Sequence, residues 1–147
     1  MADKKEVARL QELAYQMRVN LVKLCGSYAG NIHMGGDMSM SDVLTCLFHH
    51  TMNIDPKDIK MPTRDRFILS MYITMALPGF FDYDEIVRTY GKLDSAFGQH
   101  PCKVQLPGVE TSTGSLGHGL PICVGMAAAA RARGEKHRVF CMMGDGE

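Results

Sequence analysis

Pro107-Gly108-Val109-Glu110-Thr111-Ser112-Thr113-Gly114-Ser115-Leu116-Gly117-His118-Gly119 decides how this chain is read. Its glycines let the backbone approach a ligand closely. The segment runs directly into an alanine-rich stretch, Leu120 to Arg133, that reads as a helix with Pro121 in its first turn, where a missing N–H costs no hydrogen bond. The free N–H groups of such a helix start favour an anionic or polar group. Downstream, Arg138-Val139-Phe140-Cys141-Met142-Met143 reads as a buried strand that runs into Gly144-Asp145-Gly146-Glu147. A carboxylate at the carboxyl end of a parallel strand is well placed to hold Mg²⁺ or Ca²⁺ against a phosphate, and Gly146 leaves a backbone N–H for the same phosphate. Taken singly, a glycine-rich turn before a helix and an Asp-Gly turn are both common without any ligand.

Upstream, the apolar residues Val7, Leu10, Leu13, Ala14, Met17, Leu21, Leu24 and Cys25 recur at helical spacing, and Gly26 and Gly30 end that helix. Ser39-Met40-Ser41-Asp42 has capping-box form, so a second helix is expected from Ser39, carrying Val43, Leu44, Leu47 and Phe48. The turn Asp55-Pro56-Lys57-Asp58 closes it, and Arg66-Phe67-Ile68-Leu69 is a candidate buried strand. Asp82-Tyr83-Asp84-Glu85 caps a third helix with Ile86, Val87 and Tyr90. Residues 91–119 form an irregular stretch, long enough inside a compact domain to be functional or else disordered.

The composition narrows the class. The chain has 147 residues, suited to one domain, with 16 basic and 16 acidic side chains. Zero formal charge removes the electrostatic argument for a nucleic-acid partner. No apolar run approaches a membrane span, and Met1 to Glu12 is charged where a signal peptide needs an apolar core. Five cysteines, an odd set without Cys-x-x-Cys, suggest neither a disulfide framework nor a zinc clip. A soluble cytoplasmic domain is expected. Met34, Met38 and Met40 crowd one glycine-rich stretch, a pattern open to a soft metal such as Cu(I) but without a second ligand cluster, so the methionines read as packing.

Four segments in order carry a family resemblance: Asn31-Ile32-His33-Met34-Gly35-Gly36, Asp65-Arg66-Phe67-Ile68-Leu69-Ser70, Pro107 to Leu120, and Gly144-Asp145-Gly146. The chain resembles transketolase, specifically the N-terminal subunit of the split, two-gene type. The resemblance implies an α/β fold, a parallel sheet flanked by helices, of the thiamine diphosphate-binding (pyrophosphate-type) class. It implies thiamine diphosphate and a divalent cation, Mg²⁺ or Ca²⁺, serving two-carbon ketol transfer between sugar phosphates. Residue by residue, Asp145 matches the metal-ligating aspartate, while Gly144 and Gly146 flank it, Gly146 being the glycine whose N–H meets the diphosphate. Gly114, Ser115 and Leu116 match the loop along the cofactor rings. His33 matches a histidine facing the substrate, and His100, in Gly98-Gln99-His100-Pro101, one near cofactor and substrate oxygens. His49, His50, His118 and His137 read as solvated or structural.

The chain also departs from the family pattern. After Ser70 the family continues Lys/Asn-Gly-His, whereas here Met71-Tyr72-Ile73-Thr74-Met75-Ala76 follows, without that histidine and with the segment shortened. A strand ending in Gly-Asp-Gly should feed a crossover helix and another parallel strand, so residues 1–147 read as a partial domain, incomplete at the C-terminus. The expected consequences are self-association through apolar surface at Val139 and Cys141, a partner in the form of the C-terminal transketolase subunit, and no catalysis by this chain alone. A deoxyxylulose-phosphate synthase or 2-oxo-acid dehydrogenase component would keep the cofactor, but the Pro-Gly-Val-Glu-x-Ser-Thr loop favours transketolase. The reading from another class is a non-catalytic homologue with an interaction or regulatory role.

Overall fold

The computed structural model describes residues 3–68 and 72–146. They fall into two compact units, Met1–Met52 with Met71–Gln99 and Asn53–Ser70 with His100–Glu147.

The first unit is helical. Helix α1 spans Lys4–Ser27, with Asp3 as its cap accepting from the Lys5 N–H at 3.1 Å. The apolar spacing alone begins it at Val7, because a cap carries no apolar signal. Gly26 lies within its last turn, and the chain leaves at Tyr28 in extended conformation. Ala14, Met17, Leu21 and Leu24 form its buried stripe. Helix α2 spans Met34–Cys46 and passes into a π-helical turn, Leu47–Thr51. This corrects the expected start at Ser39. Ser41 donates back to the Asp37 carbonyl at 2.9 Å, and Thr45 to the Ser41 carbonyl at 2.7 Å. Such back-bonding satisfies hydroxyls inside a helix, so the Ser39–Asp42 pattern marks helix interior here and caps nothing.

Helices α3 (Tyr72–Ala76) and α4 (Tyr83–Thr89) complete this unit. Asp82 caps α4 as expected, accepting from the Asp84 N–H at 2.9 Å. Met17, Leu21, Leu44, Ile73 and Ile86 form the buried centre. Beside it Tyr28, Tyr90, Tyr72, Phe97 and Phe81 meet in sequence edge to face, with ring centroids 5.2, 6.2, 5.3 and 5.6 Å apart, an arrangement that suits aromatic quadrupoles. At Gly91, φ is +69° and the Tyr28 ring fills the space a Cβ would need. Only glycine fits there.

The second unit holds a parallel strand pair. Strand β1 is Arg66–Phe67 and β2 is Val139–Phe140, with Arg66 opposite Val139 and Phe67 opposite Phe140. Helix α5, Gly119–Ala132, packs against β2 through buried Cys123 and Ala130. The α/β class with a parallel sheet and helices is therefore as read. Both strands are shorter than expected. Leu69 and Ser70 lie outside the described residues, and the 138–143 run narrows to two half-buried residues. Strand length is set by pairing, and β1 is the one strand paired with β2 among the described residues. Val139 and Cys141 are half-buried, so they are not the exposed apolar surface the sequence suggests; among the described residues of this unit the exposed large apolar side chains are Val104, Leu116, Leu120, Val124 and Met143. Among the described residues no helix is long and apolar enough to cross a membrane.

Candidate functional site

Buried ions frame the second unit. Asp65, 2% exposed, accepts from the N–H groups of Asn53 at 2.8 Å and Arg138 at 2.7 Å, and from the Arg138 guanidinium at 2.6 Å. Burial pushes its carboxyl up, but the bonds from the Arg138 side chain and the two N–H groups outweigh that and hold it below the ordinary carboxylate range. One residue earlier, the buried Arg64 guanidinium donates to the Ile59 carbonyl at 3.1 Å and pairs with the Glu110 carboxylate. Arg66 Nε stands 3.9 Å from the other Glu110 oxygen. Glu110 thus ties the start of the 111–118 loop to the residues that open β1.

The loop itself is anchored by its neighbours. Leu106 and Val109 are buried. The Thr113 N–H donates to the Pro101 carbonyl at 3.2 Å, and the Lys103 N–H to Ser112 Oγ at 3.2 Å. His100 is thereby brought against Gly114: a Cβ at Gly114 would stand 3.1 Å from His100 Cγ, and its φ of +145° is one that side-chain-bearing residues rarely adopt. Two of the sequence-derived site positions therefore meet. Ser115 and Leu116 follow in full exposure, Leu116 at 84%.

The loop ends at His118, the residue preceding α5. A Cβ on Gly119 would lie 3.8 Å from Cys141 Sγ, and Cys123 Sγ lies 3.6 Å from the Phe140 carbonyl oxygen. The start of α5 and the exit of β2 are therefore neighbours. Gly144, Asp145 and Gly146 follow that exit as an exposed turn, and no heavy atom would crowd a Cβ at Gly144 or Gly146. Two open hollows of this unit, about 490 and 590 Å³, lie elsewhere: Glu135 and His137 line both, with Ala130 in one and Ala129 and Arg133 in the other. They have neither the loop nor the Gly-Asp-Gly turn in their walls.

His33 belongs to the helical unit, where it is the residue preceding α2 and makes no side-chain cap to it. One turn on, burial pushes the Asp37 carboxyl up to about 6, with the nearby His33 opposing the shift. Of the remaining histidines, exposed His50 meets Glu6 at 3.0 Å, and the nearly buried His137 ring stands 3.5 Å from Glu135. Half-buried Met38 and Met40 fit a packing role, while Met34 is 43% exposed. Sequence reasoning passed over the Arg64–Glu110 and Asp65–Arg138 pairs and Asp37. The Arg-Asp-Arg triplet flanking an apolar run was the available signal for the first two.

Comparison with known proteins gives this geometry its context. The family profile described as the transketolase thiamine diphosphate binding domain matches residues 11–147. An apulose-4-phosphate transketolase subunit from Actinobacillus succinogenes is 39% identical over 145 residues, covering 94% of this chain and 52% of that protein. The subunit of the same name from Phocaeicola vulgatus is 34% identical, covering 100% and 50%. The chain spans about half the length of these curated relatives. Among solved structures, transketolase from Leishmania mexicana superposes with a TM-score of 0.77 at 25% identity, over 99% of this chain and 23% of that one. A transketolase variant from Pichia stipitis gives 0.78 at 27% identity, over 93% and 22%. With its glycine loop, its parallel strands and its Gly-Asp-Gly exit, this chain belongs to the transketolase family, in the thiamine diphosphate binding domain.

Proposed function

We propose that this chain is the cofactor-holding part of a two-subunit transketolase, binding the diphosphate of thiamine diphosphate through a divalent cation for ketol transfer between sugar phosphates. The observation that carries this reading is Cys141 Sγ lying in the space beside Gly119, which makes neighbours of the segments bearing the glycine loop and Asp145. Asp145 is the side-chain ligand to a hard cation, Mg²⁺ or Ca²⁺, with N–H groups of Gly144 and Gly146 toward the phosphate oxygens. Among the described residues no three His, Cys, Asp or Glu side chains gather as a metal cluster. The remaining ligands in this reading are oxygens of the diphosphate and of groups outside those residues. Gly114, Ser115 and Leu116 line the cofactor; Gly114 lacks the side chain that would meet His100, and Leu116 offers an exposed apolar surface to a ring. When bound, thiamine diphosphate supplies the carbon nucleophile that carries the two-carbon unit. His100 and His33 are the groups assigned to cofactor and substrate oxygens.

Both bacterial relatives are named as transketolase subunits, which supports a second, partner subunit, and the chain alone is assigned no turnover. Glu110, the carboxylate bordering the loop, is committed to Arg64 and Arg66, so it would not serve as the general base that activates bound thiamine diphosphate, help worth about a hundred- to ten-thousand-fold in rate. A non-catalytic interaction subunit is the second reading. It is favoured by one observation, the buried Tyr72-Ile73-Thr74-Met75 of α3 where the resemblance implies a histidine. A calorimetric titration with thiamine diphosphate and Mg²⁺ separates the two. The proposal expects binding heat from the wild type and affinity about tenfold or more weaker in Asp145→Ala; no heat from the folded wild type overturns it. Steady-state assays of the isolated chain on sugar phosphates should stay at the no-protein blank, and turnover would contradict the need for a partner.

A further inference from the structure

We propose that Cys123 and Cys141 are an oxidisable pair that closes to a disulfide, tying the second turn of α5 to the segment leaving β2. The two cysteines come from different elements that meet at the start of α5: Cys141 Sγ lies beside Gly119, one helical turn before Cys123, and Cys123 Sγ reaches the carbonyl that precedes Cys141. Cys123, 5% exposed, lies with its Sγ 3.6 Å from the Phe140 carbonyl oxygen, the group immediately before Cys141. Cys141 Sγ occupies the space left beside the side-chain-free Gly119. All five cysteines are free thiols in this structure, so the pair is poised in its reduced form.

The environments of the two thiols divide the chemistry between them. Burial, then the hydrogen bond and charge of Cys141, push the Cys123 thiol up to about 12, so it stays protonated and inert towards outside reagents. Cys141 is half-buried and reachable. With oxidised glutathione as the oxidant, the Cys141 thiolate attacks one glutathione sulfur and expels the other glutathione as thiolate, leaving a mixed disulfide on Cys141. The neighbouring Cys123 sulfur, giving up its proton, attacks Cys141 Sγ. The intramolecular S–S bond forms as the Cys141–glutathione bond breaks and the second glutathione departs. Two electrons pass from the pair to glutathione, and both thiol protons end on the two released glutathione molecules. A thiol reductant reverses the sequence.

The bridge would fasten together the two segments assigned above to the cofactor, and that consequence rests on the proposed function; formation of the bridge does not. Cys25, Cys46 and Cys102 serve as internal controls. The N–H groups of Val104 and Gln105 draw the Cys102 thiol below its ordinary value, so reactivity without proximity would put the adduct there.

The test incubates the reduced full chain with oxidised glutathione, alkylates remaining thiols and maps the peptides without reduction. The expected product is a bridged Cys123–Cys141 peptide from monomeric chain, lighter by two hydrogens and lost on adding dithiothreitol. Recovery of Cys123 and Cys141 as alkylated thiols, while Cys46 or Cys102 carries glutathione, would overturn the proposal, as would a bridge found only between chains. In Cys123→Ser the glutathione adduct should persist on Cys141, because nothing resolves it. Cys141→Ser should leave Cys123 a free thiol. An unmodified Cys141 in folded Cys123→Ser would equally count against the assigned order of attack.

Discussion

The helical unit and the strand unit hold their candidate histidines by opposite means. His33 precedes α2 in a unit whose interior is apolar and aromatic, built on Met17, Leu44 and Ile73 and on the ring series from Tyr28 to Phe81. A desolvated carboxyl of this unit, Asp37, sits a turn away, and burial pushes it up to about 6 with His33 opposing the shift. His100 instead lies against Gly114 in a unit with a two-strand sheet, where the buried Arg64 pairs with Glu110 and the buried Asp65 pairs with the half-exposed Arg138. Apolar contacts tolerate small shifts, whereas paired buried ions fix one register. A loop that must present backbone to a charged ligand benefits from the second arrangement.

Breaking the ionic frame should have the largest effect. Glu110→Ala leaves the buried Arg64 guanidinium without its carboxylate and should cost about 3–5 kcal/mol in urea denaturation. A loss below about 1 kcal/mol, the range of an exposed pair, would mean that the frame is ornamental. Asp65→Ala strands the Asn53 and Arg138 N–H groups and should cost about 2–3 kcal/mol at neutral pH. Its folded-state carboxyl lies below the unfolded value, so this stabilisation is complete above about pH 4 and is lost as pH falls through the folded value. The gap between wild type and Asp65→Ala should therefore narrow only in strong acid, which a pH series of melts would reveal.

The helical unit should respond with the opposite sign. Because Asp37 titrates at about 6 when folded, above its unfolded value of about 4, ionising it works against the fold, and stability through this group rises as pH falls from 7 to 4. Asp37→Asn should then raise stability by about 1–2 kcal/mol at pH 7.5 and lose that advantage near pH 4. Destabilisation at pH 7.5 would show that the carboxylate is paired in solution. The smallest effect is expected at Leu116, where replacement by Ala should change stability by less than about 0.5 kcal/mol while weakening thiamine diphosphate binding. A large stability loss there would show that the loop is packed and not presented.

The contrast between the units also explains what the sequence revealed. The α1 stripe, the Asp82 cap and the helix after the glycine loop follow from spacing and local hydrogen bonding, and they were legible. The start of α2 was not, because Ser41 and Thr45 satisfy their hydroxyls on carbonyls four residues back, a choice invisible in residue type. The ionic frame was hidden for another reason: Arg64 finds Glu110 across 46 positions, and Asp65 finds Arg138 across 73. Charged residues beside an apolar run look like a solvated edge until the partner is known. The site was read from family motifs, and the pairing of His100 with Gly114 needed the folded loop.

The central claim is that the 114–117 loop and the Gly144–Gly146 turn serve one ligand. Amide NMR of the full chain, titrated with Mn²⁺ in the presence of thiamine diphosphate, tests this most directly. The account predicts that paramagnetic broadening strikes the amides of Gly114, Ser115, Leu116 and Gly117 together with those of Gly144, Asp145 and Gly146, and that Asp145→Ala abolishes both sets. Broadening of the Asp145 turn alone, or of neither segment, would contradict it.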